Sequence, residues 1–439
     1  MERDRRPTRT DHGGDPPHVE HALTDPGTSP IGVLDTARDR ARTHHGGNRP
    51  AAARTRAARG GPASLTLTRG AGITVPALSA RPPGRPPGPP GGAVMSVPET
   101  VREVRLARLP QGRPVAADLA VVETPAPEPG AGRVLLRNRW FVLFPGLATL
   151  LGDTPPGTPF PGIGPGETLF GPAVGEVVEA PADSGLRPGD LVAHVQGWRE
   201  YAVADPAALT PLGGRLPDPA AHLSPGAVGY GALTRTAPVR PGDTVLVTGA
   251  AGAVGTLAGQ TARLLGAGTV LGTTGSPAKA ERLRELGYDA VLVDERTPGP
   301  ERAERFARQL AEAAPDGIDV LLDTVGGHQA EAALAAARPG ARAALIGVLS
   351  HQLDGTPGSS APLRLDAFPL ILKGVRLAGY ANDGHAAAEA EWLPRFGAWL
   401  RTGAITFPHT RITGLDRAPQ AFQEMIEGRY FGAVLVELG

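Results

Sequence analysis

The sequence predicts an α/β protein in which a doubly wound parallel sheet is inserted into a split β-barrel domain, behind a disordered N-terminal extension. Residues 101–217 hold short apolar runs separated by Pro- and Gly-rich turns, a spacing typical of a small all-β barrel. From residue 219 strand-like and helix-like stretches alternate, which predicts a parallel sheet covered on both faces. β character then returns. We therefore expect a β domain over 95–218 and 404–439, with the sheet domain over 219–403 between its two parts.

The extension, residues 1–94, differs in composition from the rest of the chain. It contains no Phe, Trp, Tyr or Lys, and fourteen arginines against eight acidic residues give about +6. Pro and Gly dominate, so this segment cannot bury enough apolar surface to offset its ordering entropy. We expect disorder here and favour a natural start at Met95, where strand-like patterning begins. A transit peptide and an RNA-binding tail are the alternatives.

Overall composition excludes several kinds of site and partner. The 439 residues are 41% hydrophobic, carry a formal net charge of zero and include no cysteine. Disulfides, cysteine-ligated zinc and a cysteine nucleophile are therefore excluded. The charge balance gives no reason to expect nucleic acid or an anionic membrane as a partner. Because no apolar run reaches about eighteen residues, we expect no membrane span and a cytoplasmic protein.

The predicted strands are read from apolar, partly β-branched runs. In the first part of the β domain they lie in GRVLLRNRWFVLF, AVGEVVEAP and GDLVAHVQGWREYAVAD. In the inserted domain they are DTVLVTG, TVLGTT, AVLVDE, IDVLLDTV, ARAALIGV and VRLAGYA, with helical stretches between most of them. FGAVLVELG returns to β character at the end of the chain.

The stretch VTGAAGAVG, residues 247–255, joins a predicted strand to a predicted helix. Gly252 would let the backbone approach a pyrophosphate, and Gly255 would let helix and strand pack closely. The helix N-terminus supplies N–H donors and the positive end of the macrodipole. The spacing departs from the strict three-glycine form, so a structural turn without a ligand is the alternative. With an alternating sheet around it, we interpret this glycine loop as a dinucleotide site.

The end of the second strand of the inserted sheet decides between NAD and NADP. NAD sites place an acid there, but GTTGSPAK, residues 272–279, has none. Ser276 is predicted as a helix N-cap with Pro277 next, which puts Lys279 in the first turn, where a cation opposes the macrodipole. A bound 2′-phosphate would reverse that effect. Lys279 is one of only two lysines, with Lys373, and we predict NADPH; a solvated surface lysine is the alternative.

No metal site is predicted. The histidines after residue 95 have no His or acid partner at ligand spacing; they are His194, His222, His328, His351, His385 and His409. Hydride addition to an activated C=C bond suits such a site, because the carbonyl oxygen needs only hydrogen-bond donors as the enolate forms. The hydride chemistry belongs to the cofactor.

From about Met95 to its end, the chain resembles the zinc-independent medium-chain dehydrogenase/reductase superfamily and, within it, the prostaglandin reductase/leukotriene B4 dehydrogenase-like branch of double-bond reductases. The stretches that carry the resemblance include PEPGAGRVLLRNRW, GWREYAVAD, VTGAAGAVG, GSPAKAERLRELGYDAV, GIDVLLDTVGG and EGRYFGAVLVEL. The resemblance implies a Rossmann domain inserted in a GroES-like domain. It also implies NADPH-dependent reduction of the C=C bond of small α,β-unsaturated ketones and aldehydes, and a homodimer formed through the edge strand VRLAGYA.

The resemblance also implies a set of cofactor-binding residues at the strand ends. These are Gly252, Ala253, Val254 and Gly255 in the glycine loop, Ser276 and Lys279 at the 2′-phosphate, and Val325, Gly326, Gly347, Ser350, Gly379, Tyr380 and Ala381 on the later strands. Tyr230 and Tyr380 are the candidate proton donors, with water as the alternative. A packed core tyrosine is the other interpretation of Tyr230.

The predicted substrate pocket departs from the family pattern. Where many relatives read NLYLSLDPYMR, this chain reads NRWFVLFPGLA, so Gly146 replaces a pocket tyrosine and Phe144 an aspartate. We predict a roomier, more apolar pocket lined by Trp140, Phe144 and Gly146; a core role for the two aromatic residues is the alternative. After Ser350, where relatives often carry a tyrosine, this chain has His351 and Gln352.

Two departures concern the cofactor. The third-strand tyrosine that helps hold the 2′-phosphate in relatives aligns with Asp294, an acid expected to repel phosphate. An asparagine that contacts the cofactor aligns with Tyr430. Two other functions stay open: an NADPH:quinone oxidoreductase, and an NADPH-binding structural or interaction protein without catalysis, which the substituted pocket residues favour.

Overall fold

The structure, a computed structural model, describes residues 97–152, 154, 161–295, 299, 301–352, 361–380 and 385–439. The predicted extension with Met95, and the predicted cofactor residue Ala381, lie outside the described residues.

An antiparallel hairpin and a larger sheet build the β domain. The hairpin pairs β1 (Thr100–Leu106) with β2 (Leu119–Pro125). The sheet has the order β14-β15-β3-β4-β5-β7, with β6 also paired to β3. Its strands are β3 (Val134–Leu143), β4 (Ala173–Glu179), β5 (Leu191–His194), β6 (Tyr201–Ala204), β7 (Thr210–Pro211), β14 (His409–Thr413) and β15 (Ala433–Glu437). Since β15 pairs with β3, the last strand of the chain completes a sheet that begins some 300 residues earlier.

The second sheet is wholly parallel and lies between these two parts of the β domain. Its strands are β8 (Thr244–Val247), β9 (Thr269–Thr274), β10 (Ala290–Val293), β11 (Ile318–Asp323), β12 (Ala337–Leu345) and β13 (Arg376–Gly379). The order is β10-β9-β8-β11-β12-β13. The direction of winding reverses between β8 and β11, and ligands of such sheets bind at this point, outside the carboxyl ends of the strands. The predicted fold class is confirmed.

Helices cover both faces of the parallel sheet. They are α1 (Gly226–Gly231), α2 (Gly255–Leu264), α3 (Pro277–Glu285), α4 (Glu301–Ala313), α5 (Gly327–Ala335), α6 (Leu349–Gln352), α7 (Ala367–Lys373), α8 (His385–Thr402) and α9 (Ala418–Ile426). None of them, within the described residues, is both long and apolar enough to cross a membrane.

Alternation along the central strand shows why the helices divide between two faces. Val245 and Val247 are buried with Ala258 of α2 and Leu283 of α3. Leu246, between the two valines, is buried in another cluster that includes residues of α4 and α5. Because successive strand side chains point to opposite faces, an almost continuous apolar run serves two helix layers. The predicted domain boundaries at 218/219 and 403/404 fall in the connections before α1 and after α8, and stay predictions.

Candidate active site

The glycine loop connects β8 to α2 at the carboxyl edge of the parallel sheet. The N–H of Gly249 donates to Thr273 Oγ1 at 2.9 Å. A Cβ on Gly255 would lie 2.5 Å from the carbonyl oxygen of Gly249, so only glycine lets α2 begin this close to the loop. The N-cap residue, Val254, offers no side-chain acceptor. The N–H of Thr256 already donates to the carbonyl of Gly252 at 3.0 Å. A phosphate group would therefore be bound by the N–H groups that precede Thr256, at the very start of α2.

Residues 428–432, which we call the C-terminal crossing segment, lie against the glycine loop just before β15. The N–H of Gly432 donates to the carbonyl oxygen of Ala251 at 2.9 Å, and Gly252 pairs with Gly432 as an isolated β-bridge. A Cβ on Gly432 would lie 2.0 Å from the carbonyl oxygen of Pro408, so glycine is required at this crossing. No local sequence pattern predicts this contact, because it joins segments far apart in the chain.

Lys279 is held by the same crossing segment. Its ammonium group donates to the backbone carbonyl oxygens of Gly428 and Tyr430. Lys279 lies in the first turn of α3, where its N–H donates to the carbonyl of Ser276 at 3.1 Å. Ser276 takes the predicted N-cap position, although its hydroxyl makes no capping bond. The structure therefore brings the two predicted 2′-phosphate residues together, beside the glycine loop.

Tyr430, which aligns with the cofactor-contacting asparagine of relatives, makes separate contacts through its backbone and its side chain. Its carbonyl accepts from Lys279, while its hydroxyl donates to Glu424. Burial and the hydrogen bond to Glu424 raise the pKa of Tyr430 to about 12. The side chain is thus tied to α9, and its backbone is the part that faces Lys279.

Asp294, directly after β10, is buried to 3% exposure and is fully engaged. Arg302 donates to it through Nε and Nη2, at 2.8 and 2.7 Å. His328 Nε2 lies at 3.0 Å and Gln329 Nε2 donates at 2.6 Å. Burial alone raises the pKa of Asp294, but the hydrogen bonds from His328, Arg302 and Gln329 outweigh it and hold the pKa well below its usual range. The expected repulsion of phosphate is corrected accordingly, because Arg302 balances this charge inside the protein.

The segments that follow β11 and β12 lie together beside the glycine loop and form one side, or wall, of the candidate cofactor site. Ser350 Oγ donates to the carbonyl of Val325 at 2.6 Å. A Cβ on Gly347 would lie 2.9 Å from the carbonyl oxygen of Thr324. Gly326 has a φ of +74°, a conformation that favours glycine. The structure therefore brings together four predicted residues: Val325, Gly326, Gly347 and Ser350.

Asp323 holds the end of β11 in place through hydrogen bonds. The sequence analysis did not predict Asp323 as a site residue. Its carboxylate accepts from Thr248 Oγ1 at 2.6 Å and from the N–H of Gly326 at 3.0 Å. Burial raises the pKa of Asp323, against the opposing effect of these bonds. An acid at the end of a buried strand was the signal available in the sequence.

Tyr230 and Tyr380, the candidate proton donors, both lie against helices. Tyr230 is a buried residue of α1 that packs against α8, and its hydroxyl donates to Glu391 at 3.0 Å. This is the position of a packed core tyrosine. A Cβ on Gly231 would lie 1.8 Å from the hydroxyl of Tyr380, so that hydroxyl lies directly against α1. Burial raises the pKa of both phenols. Gly379, at the end of β13, is exposed with no atom near its Cβ position.

The predicted substrate-pocket residues separate into two groups. A Cβ on Gly146 would lie 3.4 Å from the ring of Phe144, so these two residues are neighbours. Phe144 packs on the cluster that contains Leu147. Trp140 instead packs in a different apolar cluster, and its Nε1 donates to Glu437 at 3.0 Å.

Gly146 lies in a 3₁₀ helix, Pro145–Leu150, that contacts α6. The β domain and the parallel sheet meet here, close to the wall that holds Ser350. Phe144 and Gly146 therefore lie at this contact between the β domain and α6, and their place in a substrate pocket stays a prediction. Trp140 packs on a separate cluster, on which Ala253 of the glycine loop also packs.

Metal-binding side chains do not cluster in the described part of the chain: no three His, Asp or Glu residues there come together. His194 is buried within the β domain, and burial with the nearby Arg199 lowers its pKa to about 3. It is thus held neutral, away from the glycine loop.

Comparison with known proteins agrees with this geometry. A family model described as zinc-binding dehydrogenase matches residues 253–394, and one described as N-terminal domain of oxidoreductase matches residues 102–212. The chain is 31% identical to an NADPH-dependent curcumin reductase of Escherichia coli (strain K12), over 76% of this chain and 95% of that protein. It is 30% identical to prostaglandin reductase 1 of Mus musculus, over 62% and 82%.

A solved structure is also similar. The crystal structure of CurA in complex with NADPH from Vibrio vulnificus is 29% identical, covers 77% of this chain and 99% of that one, and has a TM-score of 0.68. The first family model is named for zinc enzymes, but this chain has no cysteine to ligate zinc. The chain belongs to the zinc-independent medium-chain dehydrogenase/reductase superfamily, in its branch of double-bond reductases.

Proposed function

We propose that this chain is an NADP-dependent oxidoreductase that reduces the C=C bond of small α,β-unsaturated ketones and aldehydes with NADPH. One observation supports this proposal above the others. The glycine loop, Lys279 and the segments of Val325 and Ser350 all lie at the switch point of the parallel sheet. The relatives named for curcumin and prostaglandin reduction support the same reaction class. We place the enzyme in the cytoplasm, with its reductant.

The choice of NADPH over NADH rests on the charges around the end of β9. Lys279 brings a positive charge to the first turn of α3, where the crossing segment fixes its ammonium group. Asp294, at the end of β10, aligns with the tyrosine that helps hold the 2′-phosphate in relatives, and Arg302 balances its charge. The 2′-phosphate that distinguishes NADPH would therefore meet the cation of Lys279 without a free carboxylate at that position.

The residues of the chain can be assigned roles from their positions. NADPH supplies a hydride when bound. The N–H groups at the start of α2 bind the pyrophosphate, and Lys279 with Ser276 binds the 2′-phosphate. Val325, Gly326 and Ser350 border the nicotinamide end of the crevice. Phe144 and Gly146 would form an apolar surface that excludes water from the reacting carbon.

The two alternatives are less well supported. A quinone substrate is not favoured, because the relatives described above are named for the reduction of curcumin and prostaglandins. If the protein bound NADPH for a purely structural role, the apolar surface of Phe144 and Gly146 would have no function.

We also propose a homodimer that forms through β13 and α7. β13 is the edge of the parallel sheet, and all four of its residues are exposed. On α7 three large apolar side chains are exposed: Phe368 at 67%, Ile371 at 73% and Leu372 at 70%. Pairing of two β13 strands would satisfy the open edge and cover these side chains.

The reaction itself is tested by following NADPH oxidation by absorbance with a panel of enones, 2-alkenals and quinones. We expect turnover with enones and alkenals and little with quinones, and the product should be the saturated carbonyl compound. Tight NADPH binding without turnover of any panel member would contradict the proposal, and so would turnover of quinones alone.

Replacement of Lys279 tests the cofactor assignment. Lys279→Ala removes a charge-assisted bond worth about 1.5–3 kcal/mol, so the Kd for NADPH should rise roughly 10- to 100-fold. The Kd for NADH should change little. Lys373→Ala, at the only other lysine, is the matched control and should leave both unchanged. An equal loss for NADPH and NADH would show that Lys279 only holds the crossing segment.

A charge on α7 tests the dimer. Ile371→Asp places a carboxylate in the proposed interface, where burial without a partner is costly, and should shift the molar mass in light scattering from two chains to one. Leu109→Asp changes a leucine that is also exposed, at 46%, but lies in the β domain, and should leave the mass unchanged. A wild-type monomer at micromolar concentration would refute the dimer.

A further inference from the structure

We propose that the imidazole of His351 donates the proton that completes the reduction at the α-carbon, with Ser350 as its positioning residue. This inference rests on the proposed function and adds a group to it that neither the family pattern nor the predicted site contained.

α6 lies at the contact between the two domains. This single turn contacts the 3₁₀ helix of residues 145–150, so it lies where the two domains meet. Leu349 packs against the core of the β domain, and the next residue, Ser350, bonds to Val325 on the cofactor wall. His351 follows directly and is half-buried. Its backbone therefore lies where the 3₁₀ helix and the segment of Val325 meet, and its ring contacts Ser350.

Hydrogen bonds define which ring nitrogen is available. Ser350 Oγ carries one hydrogen, and it donates this hydrogen to the carbonyl of Val325 at 2.6 Å, since a carbonyl can only accept. The same Oγ lies 3.2 Å from His351 Nδ1, so Nδ1–H must be the donor in that contact. Nε2 is then the nitrogen that gains and loses a proton.

The other candidate acids are engaged elsewhere. The hydroxyl of Tyr230 donates to Glu391 in the helix core, and that of Tyr380 lies against α1. Gly146 stands where relatives carry the pocket tyrosine. Within residues 145–150, 324–327 and 347–352, the segments that meet here, His351 is the one ionisable side chain.

The step balances with groups already assigned. Hydride addition to the β-carbon forms a C–H bond and moves the π electrons of the C=C bond toward the carbonyl oxygen, giving an enolate. The enolate α-carbon then takes the proton from Nε2 of the His351 imidazolium, and the carbonyl re-forms. His351 is left neutral and regains a proton from water, so no further oxidant or reductant is needed.

Replacement of His351 by glutamine tests this role in the full-length chain. His351→Gln keeps a polar side chain but cannot deliver an ionisable proton, so kcat with an α-methyl enone should fall roughly 100-fold, at the low end of general acid catalysis. The Kd for NADPH should stay within about twofold, a change of less than 1 kcal/mol. The fall of the wild-type kcat toward high pH should disappear in the variant. His409→Gln, in β14 of the β domain, is the matched control and should behave as wild type.

Two readouts separate a proton donor from a merely structural residue. In deuterated water the wild-type product of the α-methyl enone should carry deuterium at the α-carbon as one enantiomer, and His351→Gln should give a mixture of the two. In the cofactor-free protein, ¹⁵N NMR of histidine, assigned with the same variant, should show His351 as the Nδ1–H tautomer. Ser350→Ala should abolish that tautomer preference.

The outcomes distinguish this inference from the function on which it rests. Wild-type enone reduction with a His351→Gln variant of unchanged kcat, pH profile and enantiomer ratio overturns the role of His351 alone. An Nε2–H tautomer in the wild type also overturns it. Wild-type NADPH binding without enone reduction overturns the proposed function first.

Discussion

The crossing of the chain's last segment over the glycine loop is the contact on which the rest of the site depends. Gly432 bonds to Ala251, and the carbonyls of Gly428 and Tyr430 hold the ammonium group of Lys279. β15 begins immediately afterwards and completes the sheet of the β domain. The same few residues therefore fix the position of one domain relative to the other and the position of the cation that recognises phosphate.

Behind the crevice, buried polar groups form a continuous network that makes the strand ends rigid. The N–H of Gly249 donates to Thr273, Thr273 donates to Gln329, and Gln329 donates to Asp294, which is paired with Arg302. A buried network of this kind is stabilising only when its members are satisfied. Asp294 thus keeps its charge without presenting it to the cofactor, which explains how an acid is tolerated where relatives carry a tyrosine.

Local sequence patterns predicted much of this architecture. The features that were not predicted depend on contacts between residues far apart in the chain. Strand alternation, the glycine loop and the first-turn position of Lys279 follow from short stretches, and each was found as predicted. Tyr230 was ambiguous because its partner, Glu391, lies 161 residues away. Trp140 and Phe144 share a strand parity, but β3 ends at Leu143, so Phe144 lies beyond the strand. The two side chains pack on different apolar clusters, and no sequence pattern marks the end of the strand.

Hydrogen–deuterium exchange with and without NADPH measures the central claim most directly, because it reads the glycine loop and the crossing segment in one experiment. The account predicts that NADPH slows amide exchange in peptides covering residues 249–257 and residues 428–433 together. NADH should protect the second peptide less, since it lacks the phosphate that meets Lys279. Protection of the loop by NADPH with unchanged exchange at residues 428–433, or no protection of either, would contradict the account.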